Sequence, residues 1–144
     1  MQLLDELSKK KYYLLLIIGR PGSGKSKYLH DYSNRVGIPV LDLDFILGKK
    51  IPDGKDSSYV YDFMNGFLDT YKPDQVLLDK KAILYNKDSK IDLLDFLKKL
   101  SLKKTVIVTW NGYTEDGKLY HFNNKQQVDA EYELSDDYAY IELK

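Results

Sequence analysis

Tyr12-Tyr13-Leu14-Leu15-Leu16-Ile17-Ile18-Gly19-Arg20-Pro21-Gly22-Ser23-Gly24-Lys25-Ser26 is the stretch on which the fold turns. Its first seven residues run without polar alternation, as a strand buried on both faces requires, and such strands belong to parallel sheets covered by helices. The next residues are rich in glycine. From Lys25 to Asn34 the pattern becomes helical, with Gly37 and Pro39 marking the exit. Strand, glycine-rich loop and helix follow one another with no room for anything between them.

Working outward, Leu3 to Lys10 carries Leu3, Leu4 and Leu7 at helical spacing, and Ile38 to Leu43 reads as a second, short strand. Asp44 to Asp56 holds Gly48, Pro52 and Gly54 and is expected to be a loop. Asp56 or Ser57 would cap the next helix, whose stripe is Val60, Phe63, Met64, Phe67, Leu68 and Tyr71, and Pro73 ends it. Gln75 to Asp79 is a third strand. Leu93, Leu94, Phe96, Leu97 and Leu100 mark a further helix, and the β-branched Thr105 to Trp110 a further strand. Tyr113 to Phe122 then alternates around Asp116-Gly117, a hairpin signal, and Tyr138 to Leu143 is the last strand. Strands alternating with helices predict a three-layer α/β fold with a mostly parallel sheet and a C-terminal β-hairpin addition. The strand order is not readable from the chain alone.

Composition narrows the function. The 144 residues suit one domain over 1–144, and 22 basic against 22 acidic residues leave no net charge, which disfavours a globally basic nucleic-acid binder. The absence of cysteine removes disulfides, thiolate catalysis and cysteine-based metal sites together. Two histidines far apart, His30 and His121, make a histidine metal site a poor expectation. The apolar run Tyr12 to Ile18 is too short for a bilayer and lacks a signal-peptide cleavage site, so a cytoplasmic protein with no membrane association is expected. Lys80 to Lys104 carries eight lysines against three acids, and Glu115 to Lys144 eight acids against three lysines. The first segment offers a face to nucleic acid or an acidic partner, with a solvated helix face as the plainer account.

Gly19-Arg20-Pro21-Gly22-Ser23-Gly24-Lys25-Ser26 fits the Walker A pattern G-x-x-x-x-G-K-[ST]. Chance would produce such a match on the order of once in a few hundred chains of this length. The chemistry needs these residues: glycines let successive backbone N–H groups turn toward phosphate oxygens, and the following helix adds its positive end. Gly19, Gly22, Ser23, Gly24, Lys25 and Ser26 are therefore the expected ATP-binding residues, with Lys25 on the β- and γ-phosphates and the Ser26 hydroxyl on Mg²⁺. Asp79 closes an apolar strand and suits the Walker B position, a second magnesium-shell residue at the carboxyl edge of the sheet. Lys25, Asp79 and Asn111 are the candidate catalytic residues.

Catalysis is less well supplied than binding. Where many ATPases place glutamate after the Walker B aspartate, this chain has Lys80 and then Lys81, and an ammonium is no base at neutral pH. Asn111, after Trp110, reads either as a sensor amide facing the γ-phosphate or as a turn residue in Asn111-Gly112. Asp42 and Asp44 read as polar residues at a strand edge. Asp44 also admits a small-molecule or nucleotide kinase in which it orients the acceptor hydroxyl. Arg20 and Arg35 are the only arginines, few for a kinase that clamps phosphates with several. Arg35 suits a helix-end cation, or an arginine finger acting across an oligomer. A non-hydrolysing nucleotide-binding adaptor is the remaining alternative.

These residues resemble the BrxF family, the small P-loop proteins of type-3 BREX phage-defence systems in bacteria. The resemblance rests on overall size, the leader segment, Gly19 to Ser26, Val76 to Asp79, and Thr105 to Gly112 with Gly117 to Phe122 following. It covers nearly the whole chain. Where that family often has proline after the tryptophan, this chain has Asn111. The chain as a whole is expected to be a P-loop NTPase fold of the AAA-like or related additional-strand group, without a helical lid domain. The resemblance implies a role in restricting phage beside other defence-system proteins, and no reaction for this chain beyond nucleotide binding. The expectation that the motifs then support is a nucleotide-dependent switch or a weak, partner-dependent ATPase subunit, with room for a homo-oligomer. The residues carried over are Gly22, Gly24, Lys25 and Ser26, with Asp79 for the magnesium shell.

Overall fold

In a computed structural model, residues 5, 7–48, 57–81, 84 and 91–144 are described. Seven strands form one sheet: β1 (Leu14–Gly19), β2 (Val40–Asp42), β3 (Gln75–Asp79), β4 (Thr105–Glu115), β5 (Lys118–Phe122), β6 (Val128–Glu133) and β7 (Ala139–Leu143). Among the described residues four helices join them: α1 (Lys25–Val36), α2 (Leu43–Gly48), α3 (Ser57–Thr70) and α4 (Leu93–Ser101). The order β2-β3-β4-β1-β7 is parallel throughout. The chain is an α/β protein with a mostly parallel sheet.

The apolar run of β1 lies in the middle of this sheet, every one of its residues buried. Alternate residues face opposite cores. Leu15 and Ile17 meet Leu29 and Tyr32 of α1, with Leu77, Ile107 and Ala139. Leu14, Leu16 and Ile18 meet Val60, Met64 and Leu68 of α3 and Leu93, Phe96, Leu97 and Leu100 of α4. Each such side chain contributes about 1.5–3 kcal/mol on burial. A strand apolar on both faces is thus what helices on both faces need.

Beyond Asn111, β4 leaves the parallel sheet and continues as the first strand of an antiparallel meander with β5 and β6. The turn between β4 and β5 is Asp116-Gly117, with φ of 51° and 78°, the two left-handed residues of a type I′ hairpin. The expected hairpin is therefore present. Its outer strand β6 was not anticipated, since a segment carrying the exposed Asp129, Glu131 and Glu133 gives no apolar strand signal.

Two local expectations are corrected, at residues 43–48 and at Asn111-Gly112. Residues 43–48 are helical where a loop was expected from Asp44: Asp42 Oδ1 accepts the Phe45 amide at 3.0 Å and starts α2. The rest of that segment, with Pro52, Gly54 and the expected cap Asp56, lies outside the described residues, and Ser57 is already within α3. Asn111-Gly112 is not a turn, since β4 runs on through it to Glu115. Of the leader helix expected over Leu3 to Lys10, Leu3 and Leu4 lie outside the described residues, Asp5 and Leu7 are helical, and Leu7 is buried against the α1 face.

Candidate functional site

The parallel strands bring their carboxyl ends to one edge. Gly19 ends β1 beside Asn111 of β4, and Asp42 of β2 pairs with Asp79 of β3. The neighbours β1 and β4 then send their chains in opposite directions, β1 through α1 toward the β2 edge and β4 through the meander toward β7. In open α/β sheets such a reversal leaves a crevice at the carboxyl edge where ligands bind.

The loop from β1 to α1 occupies that crevice. Gly22 and Gly24 adopt φ of 81° and 93°, a region that side-chain-bearing residues rarely enter, and nothing crowds the space a Cβ would fill. Glycine is needed there for the turn, and the space it leaves is open. Gly24 caps α1 without a side-chain hydrogen bond, and the first turn of α1 carries no acid. The positive end of a twelve-residue helix is left uncompensated. Ser23 folds back onto Gly19, where a Cβ would overlap its hydroxyl, and the Ser23 Oγ is buried without a hydrogen-bond partner. Lys25 Nζ reaches across the loop to the Arg20 carbonyl at 3.1 Å. Burial pushes its ammonium down, against the opposing pull of Asp79.

Across from the loop stands Asp79, 7% exposed. Its Oδ2 accepts the Ser26 hydroxyl at 2.7 Å, while Oδ1 accepts the Thr109 hydroxyl at 2.8 Å and the Lys80 amide at 2.9 Å. Burial alone would raise this carboxyl. The three hydrogen bonds and the charge of Lys81 outweigh it and hold the group below the usual aspartate value. Lys80 and Lys81 part company here. Lys80 takes a left-handed φ of 49° and faces solvent, which turns Lys81 inward. Lys81 is 3% exposed, and its ammonium donates to Thr109 Oγ1 at 3.3 Å. Burial brings Lys81 down to about 8; Asp79 and Asp44 oppose that shift and Lys25 adds to it.

Arg20 points away from the crevice toward the meander. Its guanidinium lies 4.3 Å from the ring centre of Tyr113 and 5.6 Å from that of Phe122. Tyr113 in turn stacks on Tyr120, with ring centres 4.8 Å apart. This cation–π contact ties the loop to β4 and β5.

Of the expected residues, Ser26 bonds Asp79 and Lys25 feels its charge, while Gly19, Gly22, Ser23 and Gly24 build the loop that carries them. Asn111 reaches the same edge through its pairing with Gly19, but its amide donates to Gln126 Oε1 at 3.2 Å. Asp42 caps α2, and Asp44 sits in the first turn of that helix with its amide on the Lys80 carbonyl at 2.8 Å. Arg35 lies in the last turn of α1, 5.8 Å from the ring centre of Tyr32. Sequence reasoning missed Thr109 and the burial of Lys81. A lone threonine between Val108 and Trp110 is a usable polar signal, but a strand-forming role explains it as well. Lys81 carried none, since its burial depends on the backbone of Lys80.

The donor set fits a polyphosphate with magnesium. Open left-handed glycines, an uncapped helix start, an ammonium and an unpartnered hydroxyl together call for an anion. Among the described residues no three histidine or acidic side chains group as a metal site. Ser26 and Asp79 would offer two oxygens, which suits a Mg²⁺ that brings its own waters and phosphates. No helix among the described residues is long and apolar enough to cross a membrane. No family model, no curated protein and no solved structure matches the chain.

Proposed function

We propose that this chain is a Mg·ATP-binding P-loop protein of the additional-strand group, working as a nucleotide-dependent switch or a weak, partner-dependent ATPase subunit. The observation that carries the reading is the 2.7 Å hydrogen bond from Ser26 to Asp79, which joins two motifs 53 residues apart at the mouth of the glycine-rich loop. The insertion of β4 between β1 and β3 supports the additional-strand assignment. Bound magnesium would neutralise phosphate charge and polarise the terminal phosphoryl group. The chain's own residues do the rest. The loop amides and Lys25 hold the phosphates, and Ser26 and Asp79 hold the metal side.

Binding is better provided for than turnover. The residue after Asp79 is a solvent-facing lysine, so the usual position of the water-activating carboxylate is empty of one. The phage-defence setting rests on the BrxF resemblance and belongs to the same proposal, as do the other defence-system proteins as partners.

The test is binding of a fluorescent ATP analogue with and without Mg²⁺, together with phosphate release, in wild type and Lys25→Ala. The expected result is saturable binding in wild type that falls at least about 100-fold in the variant, since a hydrogen bond to a charged group is worth about 1.5–3 kcal/mol and the phosphate charge adds to it. Unchanged affinity in Lys25→Ala would sink the reading. Turnover that rises faster than protein concentration would favour an ATPase completed by a second copy. Binding without turnover would favour the switch.

A further inference from the structure

Lys81 is the least expected group at this edge. A lysine side chain is almost never fully buried without a partner, and this one lies beneath the strand ends, its Nζ 3.3 Å from Thr109 Oγ1. Thr109 has one hydroxyl proton. With the ammonium donating into its oxygen, that proton is directed to Asp79 Oδ1, which it meets at 2.8 Å. The Lys80 amide occupies the same carboxylate oxygen. Both donors fall on Oδ1, and Oδ2 is left to Ser26.

We propose that Lys81 is a positioning residue for the metal side of the site, acting through Thr109 to fix the plane of the Asp79 carboxylate with Oδ2 turned toward Ser26. The inference rests on the nucleotide-binding reading. Groups that orient a metal ligand from behind commonly set metal affinity by about 10–100-fold. Lys81 is placed to do so without touching a phosphate, since Thr109 and Asp79 are its route to the site.

The experiment titrates Mg²⁺ against a fixed fluorescent ATP analogue for wild type, Lys81→Met, Thr109→Val, Thr109→Ser and the double variant Lys81→Met/Thr109→Val. The magnesium needed for half-saturation should rise at least about ten-fold in Lys81→Met and Thr109→Val, while binding in EDTA shifts by less than about two-fold. Thr109→Ser, which keeps the hydroxyl, should restore the wild-type requirement, and the double variant should be no worse than either single one. Equal loss with and without magnesium would mean a phosphate contact or a general structural role, and would overturn the proposal. So would a lower magnesium requirement, which would make Lys81 a competitor of the metal. If Lys81→Met fails to fold, Thr109→Val and Thr109→Ser decide by the same criteria.

A second readout needs no nucleotide. In the free protein the Thr109 hydroxyl proton, donated to Asp79 while its oxygen accepts from Lys81, should give a slowly exchanging NMR resonance that Lys81→Met abolishes. If wild type bound no nucleotide, the nucleotide reading would fall and the metal-side role with it, while this resonance would still decide whether Lys81 orders Thr109 against Asp79. Its absence from wild type would overturn that ordering.

Discussion

Gly112 has no side chain because two groups already occupy the place. A Cβ there would overlap the Tyr120 carbonyl and lie 2.9 Å from the indole nitrogen of Trp110. Those two groups are bonded to each other, the indole N–H donating to the Tyr120 carbonyl at 2.9 Å. Gly112→Ala must therefore push the buried tryptophan off its partner or splay β4 from β5. Overpacking of this kind costs about 1–3 kcal/mol, and contact with backbone puts this site at the upper end. The check is a urea titration, in which the unfolding midpoint should fall while the slope holds. The same scale shows what a chain makes legible. Gly22, Gly24 and Lys25 are readable because the motif fixes what each must do. Gly112 reads equally well as half of a turn, and only the path of the indole shows otherwise. Lys81 is less legible still: its neighbour Lys80 carries the same side chain and faces water, and a backbone angle separates the two.

Among the elements, α4 is held at its start by a single residue with two tasks. Asp92 Oδ1 accepts the Asp95 amide at 3.0 Å as the helix cap, and it also accepts the Tyr132 phenol of β6 at 3.1 Å. Cap removal alone costs about 1 kcal/mol. Asp92→Ala also leaves a half-buried phenol without that acceptor, so a total of about 1–2 kcal/mol is expected, read as a lower denaturation midpoint. Asp92→Asn, which keeps an accepting oxygen, should recover most of it. Element by element, β1, β3, α3 and α4 were readable because each buries residues at its own period. The segments that resisted reading are those whose structure is fixed by a distant neighbour. β6 is exposed and acidic and becomes a strand only because β5 is there to pair with it. α2 needs Asp42 at the end of β2 to start it.

For the whole molecule, the central question is how a strand as apolar as β1 is kept from other chains. β4 covers one side of it and β7 the other, the latter pairing Leu15 to Gly19 with Ala139 to Leu143. β7 is itself an outer strand, and the two other edges are protected differently: β2 is three residues long, and β6 carries Asp129, Glu131 and Glu133. A chain truncated before Tyr138 would expose β1 as a fully apolar edge, and loss of the monomer peak in size-exclusion chromatography is the expected outcome. The sheet order, unreadable from sequence, is what gives β4 its double membership. Thr105 to Trp110 lie inside the parallel sheet, Asn111 lies beside Gly19, and Gly112 to Glu115 pair with β5. Eleven extended residues span about 36 Å, with the indole of Trp110 filling the gap at Gly112 where a hinge would otherwise form. β4 is in effect a stiff rod with the glycine-rich loop gripped at mid-length and the meander mounted on its far end. Torque applied to the meander would be delivered to Gly19 with no slack joint to absorb it.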